Sequence, residues 1–320
     1  MDVPDDLIKS VESAGQGRYI VRNLVKVADT SKPDVEVVVI GRNSLITKEF
    51  FDEMPNIKLV QTISAGVDSI DFSILPNNVV LCSNAGAYRE SMAEHVFAMV
   101  LSLGKNLIRN HERLHNGLYQ SAQDGIYLGG KTIGIIGAGG IGRSVARVAK
   151  GFQMRTIGIN TSGRPIQNFD EVWTLERLDD VLGQSDVLVI SLPLTTRTRQ
   201  LIGVHEFSLM KENCILVNVA RGAIISQEAL YSHLKTHPMF GAGIDVWWKY
   251  PKKGEKFILD FPFFELPNFL ASPHNAEGVP ESKSQGQEHA FANVMMYMEK
   301  GSPERVVDRT QYIGLRPTTS

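Results

Sequence analysis

The chain is short of several things, and each shortage narrows what it can be. Only two of its 320 residues, Cys82 and Cys214, are cysteines. Their spacing suits neither a metal site nor a disulfide framework, and both sit in apolar, strand-like surroundings that suit buried thiols. A reducing compartment and no bound metal are the expectation. No apolar run reaches the roughly 18 residues of a membrane-spanning helix, and the opening MDVPDDLIKS is acidic, without the apolar core of a signal peptide. Basic runs are missing and the formal net charge is −2, which argues against nucleic acid as a partner. Internal repeats and low-complexity stretches are missing too. The expectation is a cytoplasmic protein whose partner is a small molecule, neither nucleic acid nor membrane.

What is present is apolar material in a regular order. With 43% hydrophobic residues over this length, the chain can bury a sizeable core and make about two domains. Strand-sized apolar runs alternate with helix-like segments in two batches: VEVVVIG, IKLVQTI and NVVLCSN, then IGIIG, RTIGI, DVLVISL and CILVNVA. This is βαβ patterning. A long helical candidate at 90–116 ends the first batch, and a helix-like stretch opens the chain at 1–15. The segment 249–269, rich in Pro, Lys and Phe, reads as a structured loop. The last dozen residues are expected to fray.

The most specific stretch is IGIIGAGGIGRSVARVAK at 133–150, where a strand enters a glycine turn and leaves as an amphipathic helix. Gly137, Gly139 and Gly142 have the G-x-G-x-x-G spacing. The first permits a tight turn, the second lets backbone approach a pyrophosphate, and the third lets helix and strand pack closely. Gly140 and Ile141 complete the helix start, whose N-terminus suits an anion. Glycines also mark ordinary turns, but strand before and helix after make this a turn for a nicotinamide dinucleotide. The next strand, MRTIGIN at 154–160, lacks the terminal carboxylate that NAD sites place about 20 residues past the glycines, on the ribose 2′-hydroxyl. Asn160, Thr161, Ser162 and Arg164 stand there instead. Hydroxyls and a guanidinium can hold a 2′-phosphate that a carboxylate would repel. NADP(H) is therefore favoured, with NAD(H) the alternative if Arg164 is simply a solvated loop residue.

Further motifs follow one another in a set order: ISAGVDSID at 63–71, NAGAYRESMAEH at 84–95, the glycine turn, SDVLVISLPLTTRTRQLI at 185–202, then NVARGAIIS, GAGIDVWW and ASPHNAEG. In these the chain resembles the D-isomer-specific 2-hydroxyacid dehydrogenases, a family that includes glyoxylate, hydroxypyruvate and phosphoglycerate-type enzymes. The resemblance implies an α/β fold of two doubly wound, Rossmann-like domains with parallel sheets, the cofactor domain (103–275) inserted into a substrate domain (1–102 plus 276–320). It also implies a homodimer formed through the cofactor domain. The implied activity is hydride transfer between NADP(H) or NAD(H) and a small 2-oxo or D-2-hydroxy acid, of the glyoxylate or hydroxypyruvate kind.

Site residues follow from the same resemblance. Arg221 matches the residue that pairs with the substrate carboxylate and polarises its carbonyl, a task suited to a planar fork. It directly follows the strand CILVNVA, at the carboxyl end where open α/β folds bind ligands. His274 matches the acid/base histidine. Ala65, Gly66 and Val67 supply backbone amides for the substrate carboxylate, unless they form only an ordinary tight turn. Pro193 and Thr198 border the adenosine, Val219 and Ala220 pass beneath the nicotinamide riboside, and Asp245 accepts from the carboxamide or, more plainly, caps a loop. Trp247 and Trp248 read as packing.

One position departs from the family. A Glu normally stands five residues beyond the Asp of the D-V motif, orienting the histidine and stabilising its protonated form; here that position is Tyr250. A phenol offers only one hydrogen bond of either sense, so His274 is expected to be a weaker base, near the reference value of about 6.5 or below it if desolvated. Three readings stay open. Arg221 and His274 can suffice for reduction at mildly acidic pH. Another carboxylate, Glu277 or Glu255, can replace the missing one. Or catalysis is impaired, and the protein is a dinucleotide-responsive regulator.

Overall fold

The computed structural model describes residue 9 and residues 29–121 and 124–315. The helix expected over 1–15 lies outside the described residues, apart from Lys9. The described chain divides into two compact units, one running up to Tyr88 and resuming at Val279, the other spanning Arg89–Gly278.

The first unit is built on three parallel strands in the order β1-β2-β3: β1 (Val37–Ile40), β2 (Leu59–Thr62) and β3 (Val80–Cys82). Between the first two lies α1 (Lys48–Glu53), whose first turn is closed by the Thr47 hydroxyl accepting from the Phe50 amide. Val38, Ile40, Val60 and Leu81 form the core with Phe51, Ile57 and Tyr312. The long helix Pro280–Lys300 returns to this unit and packs Val294 on Leu59 and Cys82. Of the last dozen residues, expected to fray, 316–320 lie outside the described residues, and the described ones are docked: Tyr312 stacks on Phe72 at 4.7 Å, and Asp308 caps the short turn Arg309–Gln311. An aromatic face near the chain end is invisible to composition but is worth burying.

The second unit opens with α2 (Arg89–Gly104) and α3 (Leu107–His115) in place of one long helix. The chain turns between them at Asn106, which takes a left-handed φ of 54°, a conformation Asn tolerates better than most residues. Then come β4 (Thr132–Ile136), α4 (Gly140–Gly151), β5 (Arg155–Ile159), β6 (Glu171–Trp173), α5 (Leu178–Gln184), β7 (Val187–Ile190), α6 (Val204–Leu209), β8 (Ile215–Asn218), α7 (Gln227–Thr236), β9 (Gly241–Ile244) and β10 (Phe269–Ala271). The helix Pro280–Lys300 is α8.

All seven strands of this unit are parallel, in the order β10-β9-β8-β7-β4-β5-β6. Strands covered on both faces read as continuous apolar runs, and β4, β7 and β8 are buried at every position. Ile133, Ile135, Ile136, Leu188 and Ile190 are among the most buried side chains, each contributing about 1.5–3 kcal/mol. The order reverses direction between β4 and β7. That makes a crevice at their carboxyl ends, the place where doubly wound sheets bind ligands. Both cysteines are buried, which pushes the Cys82 thiol up to about 11 and the Cys214 thiol to about 12. Among the described residues no helix is long and apolar enough to cross a membrane.

Candidate active site

The glycine turn sits at this switch point. Gly137 leaves β4 with φ 111°, and its amide and that of Ala138 both donate to the Ile159 carbonyl at the end of β5. A side chain at Gly137 would strike the backbone of Ser191 and Leu192 at 2.7 Å, and one at Gly142 would lie 2.2 Å from the Gly137 carbonyl oxygen. The middle glycine differs: a Cβ on Gly139 would meet nothing within 4 Å. Gly139 is also the N-cap of α4, where no side chain caps the Gly140 and Ile141 end of the helix. Helix amides facing a space that only glycine leaves open fit a pyrophosphate.

Two loops flank the turn, because β5 and β7 are the neighbours of β4. After β5, Asn160 spends its side-chain oxygen on the amides of Ser162 (2.9 Å) and Gly163 (2.6 Å), and the Ser162 hydroxyl accepts from the Arg164 amide. This presents Thr161, Ser162 and Arg164 on an exposed loop. After β7, Thr198 donates its hydroxyl to the Pro193 carbonyl at 2.7 Å and accepts from the Thr195 amide at 2.8 Å, which fixes that loop.

Arg221 follows β8. The buried side chain of Asn218 shapes its turn, with Oδ1 accepting from the Ala220 amide (3.0 Å) and Nδ2 donating to the Arg221 carbonyl (2.9 Å). Val219 and Ala220 are buried beneath it. The next residue, Gly222, packs so tightly on the backbone of Trp247 that a Cβ would come within 2.4 Å. The Arg221 loop is thereby set against the loop that leaves β9. Trp248 adds a bond from Nε1 to the Ile225 carbonyl at 2.7 Å.

Asp245, 1% exposed, governs the segment that carries His274. Its Oδ1 accepts from the Ser272 hydroxyl (2.6 Å) and the Asn275 amide (3.0 Å), and its Oδ2 from the Ala276 amide (3.2 Å). His274, at the centre of this clamp, has a left-handed φ of 57°. Glu277 lies in the same turn. Its surface is exposed, yet surrounding protein raises its carboxyl pKa by desolvation, the Arg221 charge pulls it down, and Asp245 pushes it up. The contact of Gly222 with Trp247 and the bonds of Asp245 to the 275–276 amides bring the Arg221 loop and the 274–277 segment to the carboxyl ends of β8 and β9.

Tyr250 stands beside the histidine. The two ring centroids are 5.4 Å apart with planes tilted by 35°, and the phenol oxygen accepts from the Trp247 amide at 3.1 Å. Glu255 is exposed and closes its own turn, accepting from the Lys252 amide at 3.0 Å.

The first unit holds Ala65, Gly66 and Val67 on the turn after β2. The Gly66 carbonyl accepts from Asn43 Nδ2 (2.8 Å) and from the Ser64 hydroxyl (3.1 Å). In a trans peptide the carbonyl and the following amide point opposite ways, so the Val67 N–H is turned away from both donors. Asn43, Asn218, Ser272 and His95 escaped the reading of the sequence. Polar side chains that hold loops carry no periodic signal.

The fold and this site define an oxidoreductase of the dinucleotide-binding, doubly wound kind. The family model described as D-isomer specific 2-hydroxyacid dehydrogenase, NAD binding domain, matches residues 97–276. The chain belongs to that family and is a nicotinamide-dependent 2-hydroxyacid oxidoreductase. Its sequence is 30% identical over 288 residues to a glyoxylate reductase of Pyrococcus furiosus, covering 86% of this chain and 83% of that protein. It is also 30% identical over 283 residues to a D-3-phosphoglycerate dehydrogenase of Methanocaldococcus jannaschii; that match takes 87% of this chain but spans only 53% of the longer relative. Among solved structures, an acyclic imino acid reductase (Bsp5) in complex with NADPH and D-Arg is similar over 96% of this chain and 97% of its own, with 26% identity and a TM-score of 0.75.

Proposed function

We propose that the protein reduces a small 2-oxo acid of the glyoxylate or hydroxypyruvate kind to the D-2-hydroxy acid, using NADPH in preference to NADH. The observation that carries this is the packing of the Arg221 loop against the loop that leaves β9, whose Asp245 holds the His274 segment, on the same carboxyl edge of the parallel sheet as a glycine turn whose open side suits a pyrophosphate. Gly137, Gly139, Gly140, Ile141 and Gly142 hold the pyrophosphate, Pro193 and Thr198 border the adenosine, and Val219 and Ala220 underlie the nicotinamide riboside. Asp245 keeps lone pairs on Oδ2 for the carboxamide. The bound cofactor supplies a hydride to the substrate C2. Arg221 pairs its fork with the substrate carboxylate and draws charge toward the carbonyl oxygen, and His274 delivers the proton to that oxygen.

Thr161, Ser162 and Arg164 support the NADPH preference, since their exposed loop offers donors and no carboxylate where a 2′-phosphate binds. In the first unit, the Val67 amide and its neighbours at Ala65 and Gly66 are proposed to take an anion. Cofactor binding is assigned to the second unit, Arg89–Gly278 rather than the expected 103–275, and substrate binding to the first. A homodimer is supported by α3 and the segment after it, where Leu107, Ile108, Leu114, Leu118 and Tyr119 are all exposed, an apolar surface that suits burial against a second copy.

NADPH oxidation with glyoxylate, hydroxypyruvate and pyruvate tests the proposal, and product analysis identifies the hydroxy acid. Turnover with NADH matching that with NADPH would remove the cofactor preference. A second reading rests on Tyr250 in the family's Glu position: a dinucleotide-responsive regulator that binds NADPH tightly and turns over no 2-oxo acid. Glu277→Gln separates a third, since loss of turnover in that variant and not in Tyr250→Phe would make Glu277 the replacing carboxylate.

A further inference from the structure

Ser272 has all of its polar atoms engaged. Its amide donates to the Ile244 carbonyl at 3.0 Å, its carbonyl accepts from Trp247 Nε1 at 3.1 Å, and its hydroxyl donates to Asp245 Oδ1 at 2.6 Å. A hydroxyl has one proton to give. With that proton directed to Asp245, the ring nitrogen lying 2.9 Å from the same oxygen, Nε2 of His95, is the donor. His95 therefore presents an N–H at Nε2 to the serine. His95 stands on α2, and the same Nε2 is 3.7 Å from Asp245 Oδ1. The outcome is a directed chain from His95 through Ser272 to Asp245, ending on a carboxylate shut off from solvent.

We propose that Ser272 and His95 are positioning residues for proton delivery, acting through Asp245 on the backbone of His274. The inference rests on the reading of His274 as proton donor. Asp245 grips the chain two residues before His274 through the Ser272 hydroxyl, and one and two residues after it through the amides of Asn275 and Ala276. A left-handed backbone at a non-glycine residue persists only where the surroundings over-determine it, and this grip does so at His274. Without the serine hydroxyl, the clamp holds only the downstream side, through the amides of Asn275 and Ala276, and Asp245 no longer ties residue 272 to them. His95 in turn fixes which way the Ser272 hydroxyl points.

The test is a set of variants of the full chain, Ser272→Ala, Ser272→Thr, His95→Leu and His95→Gln, with His274→Ala in parallel. Losing one charge-assisted hydrogen bond to a buried carboxylate is expected to lower kcat roughly ten- to hundredfold in Ser272→Ala. KM for the 2-oxo acid changes little, and the solvent deuterium isotope effect on kcat rises because proton delivery limits the rate. Ser272→Thr, which keeps a hydroxyl, restores most of the rate, and His95→Gln, which keeps a donor near Nε2, outperforms His95→Leu. A crystal structure of Ser272→Ala without any ligand supplies a readout independent of turnover, with residues 273–276 displaced and His274 out of its left-handed conformation. Wild-type kcat and an unmoved loop in Ser272→Ala overturn the inference, as does a loss of rate matched by loss of folded protein with an unchanged isotope effect. If His274→Ala itself turns over, the proton-donor reading fails; if it is inactive while Ser272→Ala is normal, only the positioning role fails.

Discussion

Tyr250 faces His274 ring to ring, 5.4 Å between centroids, with its phenol oxygen accepting from the Trp247 amide. One ring neighbour of the histidine, at the family's Glu position, is thus an uncharged aromatic. A carboxylate in that place would favour imidazolium and keep the proton donor loaded to higher pH. Tyr250→Glu is expected to shift the alkaline limb of the kcat profile for reduction upward by about one to two pH units, while Tyr250→Phe leaves the limb where it is. Initial rates from mildly acidic to alkaline pH check this.

The glycine turn makes a paired expectation. A methyl at Gly142 would sit 2.2 Å from the Gly137 carbonyl and one at Gly139 would touch nothing within 4 Å. Gly142→Ala therefore destabilises the fold by about 1–3 kcal/mol through overpacking and weakens NADPH binding with it. Gly139→Ala leaves Tm nearly unchanged and still weakens NADPH, because its methyl enters the space proposed for the pyrophosphate. Thermal unfolding and fluorescence titration distinguish the two.

Asn43→Ala frees the Gly66 carbonyl from one of its two side-chain donors. The peptide can then turn, and the Val67 amide loses its fixed direction. KM for the 2-oxo acid is expected to rise roughly tenfold, the equivalent of about 1.4 kcal/mol for one hydrogen bond, with NADPH affinity unchanged. Steady-state kinetics against both ligands show whether the effect is confined to the acid.

His233 carries an acid-stability expectation. Its ring stacks on His237 at 4.0 Å and on Phe207 at 5.0 Å and meets Phe240 edge-on at 4.6 Å, while its Nε2 is buried with no hydrogen-bond partner among the described residues. Burial, helped by the neighbouring His237, lowers its pKa from 6.5 to about 4. Between those values the unfolded chain binds a proton that the folded chain refuses. The stability tied to neutral His233 is therefore complete above pH 6.5, declines as pH falls, and levels off below about 4. After allowance for the solvent that reaches the half-buried ring, the loss is on the order of 1–2 kcal/mol. His233→Phe keeps the packing and removes the titration, so its Tm should fall less than that of wild type between neutral pH and pH 4.5.

Much of the fold was legible because it is local. The runs IGIIG and DVLVISL are buried on both faces as β4 and β7, and the G-x-G-x-x-G turn joins β4 to α4 at the switch point. The short, half-exposed β6 and β10 gave too weak a pattern to stand out. The single helix expected over 90–116 is broken by the left-handed Asn106, a choice of backbone that hydrophobic periodicity does not report. Arg221 and His274 are proposed from motifs, but the contacts that hold their loops carry no motif. Asn218 acts through its own turn, and His95 reaches Ser272 across 177 positions, a pairing that exists only once the sheet has formed.

The most direct measurement is NADPH consumption with glyoxylate by wild type and His274→Ala, alongside NADPH affinity for each. The expected result is turnover to the hydroxy acid by wild type, none by the variant, and the same affinity in both. Turnover by His274→Ala, or tight NADPH binding by a wild-type protein that reduces no 2-oxo acid, would contradict the account.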